Sequence, residues 1–145
     1  LMLEIKNNKD EEFDKIIRTN LRKFNKSKCQ WMKDNLDDIP EDDYYNFAVY
    51  DDGILVGGAI GIIQFDWYFL EELWIDEKYR NKHIGTMLIE KIEELAKNKN
   101  LTGIRMETWN FQARGFYEKN GYEVYAQFED CPPGTIEYFL KKRLK

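Results

Sequence analysis

Tyr79-Arg80-Asn81-Lys82-His83-Ile84-Gly85-Thr86 lies between an apolar run that ends at Ile75 and an amphipathic run that begins at Ile84. A strand that feeds a tight basic turn and then opens a helix gathers several unpaired backbone N–H groups and the positive end of the helix dipole at one point. Such a point suits a phosphate. The turn lacks the Gly-Lys-Ser/Thr of a nucleotide P-loop, and no early cluster of three glycines is followed by an acidic residue as a dinucleotide site requires.

Downstream of the turn, Ile84, Met87, Leu88, Ile92, Leu95 and Ala96 share one helical face, and Lys97-Asn98-Lys99-Asn100 is a polar stop. A strand is expected over Thr102 to Trp109, a short helix over Phe111 to Asn120, and strands over Tyr122 to Phe128 and Thr135 to Lys142. Upstream, Tyr45, Phe47 and Val49 alternate, Asp51-Asp52-Gly53 has hairpin chemistry, Ile54 to Phe65 is interrupted by Gly57, Gly58 and Gly61, and Trp67 to Ile75 completes a meander. Strand, helix, strand from Leu73 to Thr108 predicts a crossover and hence one parallel pair in a mixed sheet. Before Tyr44 the chain is polar and acidic. Leu3 to Lys6 reads as a short opening strand, Phe13, Ile16, Ile17, Leu21 and Phe24 as a helix face, and Trp31 to Leu36 as a second helix ending before Pro40.

Two segments carry a family resemblance. Arg80-x-x-His83-x-Gly85 resembles the pyrophosphate loop of the GCN5-related N-acetyltransferase (GNAT) family, with His83 where that pattern has its first glycine. Asn110, Ala113, Phe116-Tyr117, Lys119 and Gly121-Tyr122 resemble the family's second signature, in the same order and spacing. The element order is similar throughout. The resemblance implies an α/β (α+β) fold, a GNAT-like mixed, mostly antiparallel sheet of six or seven strands flanked by about four helices.

It also implies the chemistry. Acetyl-CoA would be the co-substrate, its diphosphate met by backbone N–H groups of Lys82, His83, Ile84, Gly85 and Thr86 with Arg80 and Asn81 beside them. Its pantetheine would pair like an added strand with an open edge at Leu73, Trp74 and Ile75. His83 means either ordinary dihedrals at that position or a looser pyrophosphate contact, and it reads as a solvent-edge residue adding partial positive charge. Asn110 matches a position that hydrogen-bonds pantetheine or the helix start, with capping an equal alternative.

Attack of a neutral amine on a thioester needs a base, directly or through a water. On an unbroken strand Glu71 and Glu72 point to opposite faces, so one of them at most faces the acceptor; Glu71 shares its face with Leu73 and Ile75 and is the preferred base, although a bulge would reverse that parity. Both could equally be rim or ion-paired carboxylates. Tyr117 matches the tyrosine that hydrogen-bonds the departing sulfur and acts as general acid; its alternative is a core aromatic. The acceptor walls are expected at the first two helices, around Phe65 to Tyr68 and around Glu129 to Gly134, where aromatic and acidic residues suit an amine-bearing cation, small molecule or peptide. A non-catalytic acyl-CoA-binding sensor or interaction module is the competing class, motivated by His83.

The chain has 145 residues, 43% hydrophobic and 34% charged, which suits one domain over 1–145 with a core of its own. No apolar run approaches the roughly 20 residues of a membrane helix. Cys29, Cys131 and a single histidine form no familiar metal-ligand spacing, so no metal is expected, and free thiols suit the cytoplasm. The start lacks the pattern of a secretory signal. A net charge of -5, with acidic residues clustered at Asp34, Asp37, Asp38, Glu41, Asp42 and Asp43, argues against a nucleic-acid partner and favours a cationic one, or is a solvated loop. A homodimer is compatible with the resemblance.

Overall fold

The computed structural model describes residues 1–37 and 42–145. The chain divides into two compact units, Leu1–Glu41 and Asp42–Lys145. Asp38 and Glu41 of the acidic cluster, and Pro40, lie outside the described residues.

In the first unit, α1 (Glu11–Lys28) starts at Asp10, whose side chain accepts from the Glu12 N–H at 3.1 Å. Acidic residues in its first turn and Lys26 and Lys28 in its last complement the helix dipole. A short α2 (Gln30–Asn35) follows, and the Arg22 guanidinium donates to the Asp37 carbonyl at 2.8 Å. The opening strand expected at Leu3 to Lys6 is not formed. A strand is stable only when paired, and the described residues of this unit offer no second strand.

The second unit holds β1 (Phe47–Asp51), β2 (Ile54–Gln64), β3 (Trp67–Ile75), a 3-10 turn (Glu77–Tyr79), α3 (Ile84–Asn98), β4 (Gly103–Trp109), α4 (Arg114–Lys119), β5 (Glu123–Glu129) and β6 (Ile136–Arg143). They build a six-stranded mixed sheet in the order β1-β2-β3-β4-β6-β5, antiparallel except for the β3–β4 pair. The parallel pair is the one that the crossover through α3 requires. Asp52 and Gly53 have positive φ, as a tight hairpin between β1 and β2 demands.

One face of the sheet carries the core. Tyr68 and Leu70 of β3, Ile104 and Met106 of β4 and Leu140 of β6 pack with Leu88, Ile89, Ile92 and Ala96 of α3 and Tyr117 of α4. The buried stripe of α3 uses Ile89 where the spacing predicted Met87, which is exposed. Alternation on β4 therefore turns Arg105, Glu107 and Trp109 to the opposite face.

Two irregularities position the site. The β2–β3 register slips between Ile60 and Gly61, so that Ile60 pairs with Glu72, Gly61 pairs with Leu70, and Glu71 has no partner on β2. Gly61 is needed there because a Cβ would collide with the Tyr68 ring. The second irregularity is where the parallel pairing stops. It runs from Trp67↔Gly103 to Leu70↔Met106 and no further, after which β3 continues to Ile75 and β4 to Trp109 with no pairing between them.

Candidate active site

At one end of the opened seam lies the basic turn. Asn81 and His83 both have positive φ, at 60° and 63°. His83 thus keeps the left-handed backbone that favours glycine, which removes the alternative of ordinary dihedrals at that position. A non-glycine residue in that region costs about 1–2 kcal/mol. His83 is the N-cap of α3 and its carbonyl accepts from Met87, but its side chain caps nothing. The N–H groups of Ile84, Gly85 and Thr86 precede the first intrahelical bond, and among the described residues they have no acceptor.

The turn is anchored on both sides. The Tyr79 hydroxyl donates to Asp51 at 2.6 Å, the Arg80 guanidinium donates to the Ile75 carbonyl at 3.2 Å, and the Lys82 ammonium lies 5.5 Å from the Tyr79 ring centroid. Gly85 faces α4 so closely that a Cβ would meet the Phe116 ring at 2.9 Å. The start of α3 and the helix bearing Tyr117 therefore touch.

Beyond Leu70, Leu73, Trp74 and Ile75 pair with β2 alone, which leaves their other edge facing the gap as expected. One carbonyl of that edge, at Ile75, is engaged by Arg80. Asn110 does not cap the start of α4. Its N–H donates to the Ile136 carbonyl at 2.8 Å and its side-chain oxygen accepts from the Ile136 N–H at 3.2 Å, so it extends the β4–β6 ladder. The entry to α4 is held instead by Thr108 and Gln112: the Thr108 hydroxyl oxygen accepts from the Ala113 N–H at 3.2 Å, and the Gln112 carboxamide oxygen accepts from the Trp109 N–H at 2.8 Å.

The gap opens into a cavity of about 370 Å³ lined by β3, β4, α4 and Glu137 of β6. Tyr117 projects into it. The residue is 6% exposed and packs edge-on to Phe116 at 5.2 Å and Tyr122 at 6.2 Å, so the core-aromatic reading holds for its ring. Its hydroxyl has no hydrogen-bond partner among the described residues and is reached from the cavity. Burial, reinforced by the Glu72 carboxylate, pushes the phenol up to about 12.

The bulge changes the reading of the adjacent carboxylates. Tyr68 and Leu70 are buried, Glu71 and Glu72 are both exposed, and Leu73 and Ile75 pack on the core, so the alternation skips one position. Both carboxylates line the cavity, where an unbroken strand would allow one. They differ in what they face: Glu72 acts on Tyr117, whereas Glu71 acts on Tyr44 and Tyr68. Neither Phe65 to Tyr68 nor Glu129 to Gly134 lines this cavity.

Glu107 and Glu137, which sequence reasoning did not single out, also line it. Glu107 pairs with Phe139 and Glu137 with Trp109, which makes the two carboxylates diagonal neighbours on the face of the sheet opposite α3. Desolvation by the cavity wall, then the hydrogen bond and charge of Glu137, push Glu107 above the usual carboxylate range, against the pull of Arg105. The alternation on each strand was readable, but their adjacency depends on strand register, which was not.

Residues 11–122 match the model of a family described as the acetyltransferase (GNAT) family. Over 106 residues the chain is 37% identical to the blasticidin-S acetyltransferase of Streptomyces morookaense, covering 72% of this chain and 78% of that protein. The crystal structure of an acetyltransferase from Bacillus cereus ATCC 14579 superposes with a TM-score of 0.82 and 29% identity, over 97% of this chain and 98% of that one. The PaiA N-acetyltransferase of Thermoplasma acidophilum, solved with coenzyme A, shares the fold with a TM-score of 0.61 at 21% identity, over 93% of this chain and 80% of that one.

Proposed function

Because the chain belongs to the acetyltransferase (GNAT) family and is an acetyl-CoA-dependent acetyltransferase, we propose that it transfers the acetyl group of acetyl-CoA to a primary amine of a cationic acceptor, in a ternary complex without an acyl-enzyme. The carrying observation is the seam that opens beyond Leu70 and Met106, with acceptor-free N–H groups at its α3 end and an unpartnered, buried phenol in its wall. The diphosphate would sit on the N–H groups of Ile84, Gly85 and Thr86, with Arg80, Asn81, Lys82 and His83 around it, and the pantetheine along Leu73 and Trp74.

In this assignment Glu72, or Glu71 through a water, takes one proton from the acceptor's ammonium group. The freed nitrogen forms a bond to the acetyl carbon, the carbon–sulfur bond breaks, the nitrogen loses its second proton and the sulfur gains one. Tyr117 donates a hydrogen bond to the departing sulfur. A phenol near 12 holds its proton more firmly than a thiol near 8.5. Tyr117 therefore stabilises the developing thiolate by donation, and full proton transfer to sulfur comes from the solvent-connected side.

The name of the Streptomyces relative supports a small-molecule acceptor. The left-handed backbone at His83 preserves a glycine-like turn, so the residue that motivated a non-catalytic binding module does not alter the turn's course. Cys29 and Cys131 are unbridged, in keeping with a cytoplasmic setting, and no helix is long and apolar enough to cross a membrane among the described residues. The test is mass spectrometry of an amine panel incubated with protein and acetyl-CoA, beside a thermal-shift titration of acetyl-CoA. Acetylated product with release of CoA is expected. A thermal shift with no acetylated amine would favour the binding module, and no thermal shift would remove coenzyme A from the account.

A further inference from the structure

We infer that Glu107 and Glu137 form a second cation-binding locus in the same cavity, so that the acceptor carries two cationic nitrogen centres, one acetylated and one held. This rests on the reading above and names the acceptor class it leaves open.

The cavity holds four carboxylates, Glu71, Glu72, Glu107 and Glu137, and no lysine, arginine or histidine lines it. Among the described residues none of the four forms an ion pair. Arg105, two residues before Glu107 on the same strand face, tempers that carboxylate only in part, because its guanidinium donates to Gln64 at 3.3 Å and lies 4.2 Å from the Phe69 ring centroid. Negative charge is thus concentrated in a concave wall that no basic side chain lines. Two carboxyls that are diagonal neighbours on one sheet face, one of them held above the usual carboxylate range in part by the other, favour a cation between them.

Tyr117, 6% exposed and with a hydroxyl that reaches the cavity and has no partner among the described residues, independently marks this cavity as built for a ligand. The occupant is organic. No group of three or more His, Cys, Asp or Glu side chains is arranged to hold a metal ion among the described residues, and the Trp109 and Phe69 rings beside the pair suit the carbon stem and charge of an alkylammonium or guanidinium.

The two loci lie on different faces of the seam. Tyr117 reaches the gap from the face covered by α3 and α4, whereas Glu107 and Glu137 project from the other. An acceptor entering from the open face meets the carboxylate pair first and extends its far nitrogen toward Glu72 and Tyr117. One cation anchored at the pair positions the other for attack.

The test compares unbranched α,ω-diaminoalkanes, from propane to octane, with the matched monoaminoalkanes. Binding to the CoA-saturated protein is read by calorimetry, and acetylation by CoA release. At least one diamine is expected to bind about tenfold or more tightly than its monoamine. In the double variant Glu107→Gln/Glu137→Gln that ratio should fall toward one, while the acetyl-CoA titration confirms an intact donor site. A wild-type protein that binds both series equally or binds neither, or a preference that survives the double substitution, overturns the inference. Failure of acetyl-CoA to bind at all would instead strike the proposed function.

Discussion

Tyr117 and His83 show how one residue can serve two masters. The Tyr117 ring fills the core between Phe116 and Tyr122 while its hydroxyl is left for the cavity. Tyr117→Phe keeps the ring and removes the donor, so kcat should fall about 10- to 100-fold while acetyl-CoA affinity stays within a factor of about two. Unchanged turnover in a stopped assay of CoA release would reject the donor role. His83 adopts φ 63° without a side-chain cap to offset the strain. His83→Gly should therefore stabilise the protein by about 0.5–1 kcal/mol, the left-handed penalty less the extra chain entropy of glycine. Calorimetric melting checks this, and a lowered Tm would mean that the imidazole makes a contribution the geometry does not reveal.

At the scale of elements, the bulge in β3 decides more than any single side chain. An extra residue at Glu71 brings two consecutive carboxylates to one cavity and leaves Glu72 as the one that acts on Tyr117. Glu72→Gln is expected to lower kcat/KM by at least about tenfold, and Glu71→Gln to do so less. Equal losses in the two variants would point to a shared water rather than a single base. The bulge was not legible in the sequence, although Gly57, Gly58 and Gly61 flagged the facing strand; a bulge depends on which residue of β2 lies opposite, and the Gly61–Tyr68 packing that sets it spans two strands.

Across the whole molecule, the readable parts were those with local causes. The α3 face, the hairpin at Asp52 and Gly53 and the parallel β3–β4 pair followed from periodicity, turn chemistry and crossover geometry. What stayed hidden was set by pairing at a distance. The Leu3 to Lys6 run had strand-like residues but no partner, Asn110 was drawn into the ladder with Ile136, and Glu107 met Glu137 through the β4–β6 register. The motifs encode a loop and a helix, whose causes are local. They were silent on the Glu107–Glu137 wall of the cavity, which is assembled from alternate positions of separate strands.

The early end of pairing between β3 and β4 also governs traffic. In the proposed assignment, the parting of the sheet at one end lets the donor approach from the turn before α3 and the acceptor from the face opposite α3 and α4, so neither needs to wait for the other to leave. Under the proposed assignment, initial velocities should describe a random sequential scheme, with CoA competing against acetyl-CoA alone and the acetylated amine against the amine alone. A compulsory order would mean that one doorway is shut until its neighbour is filled.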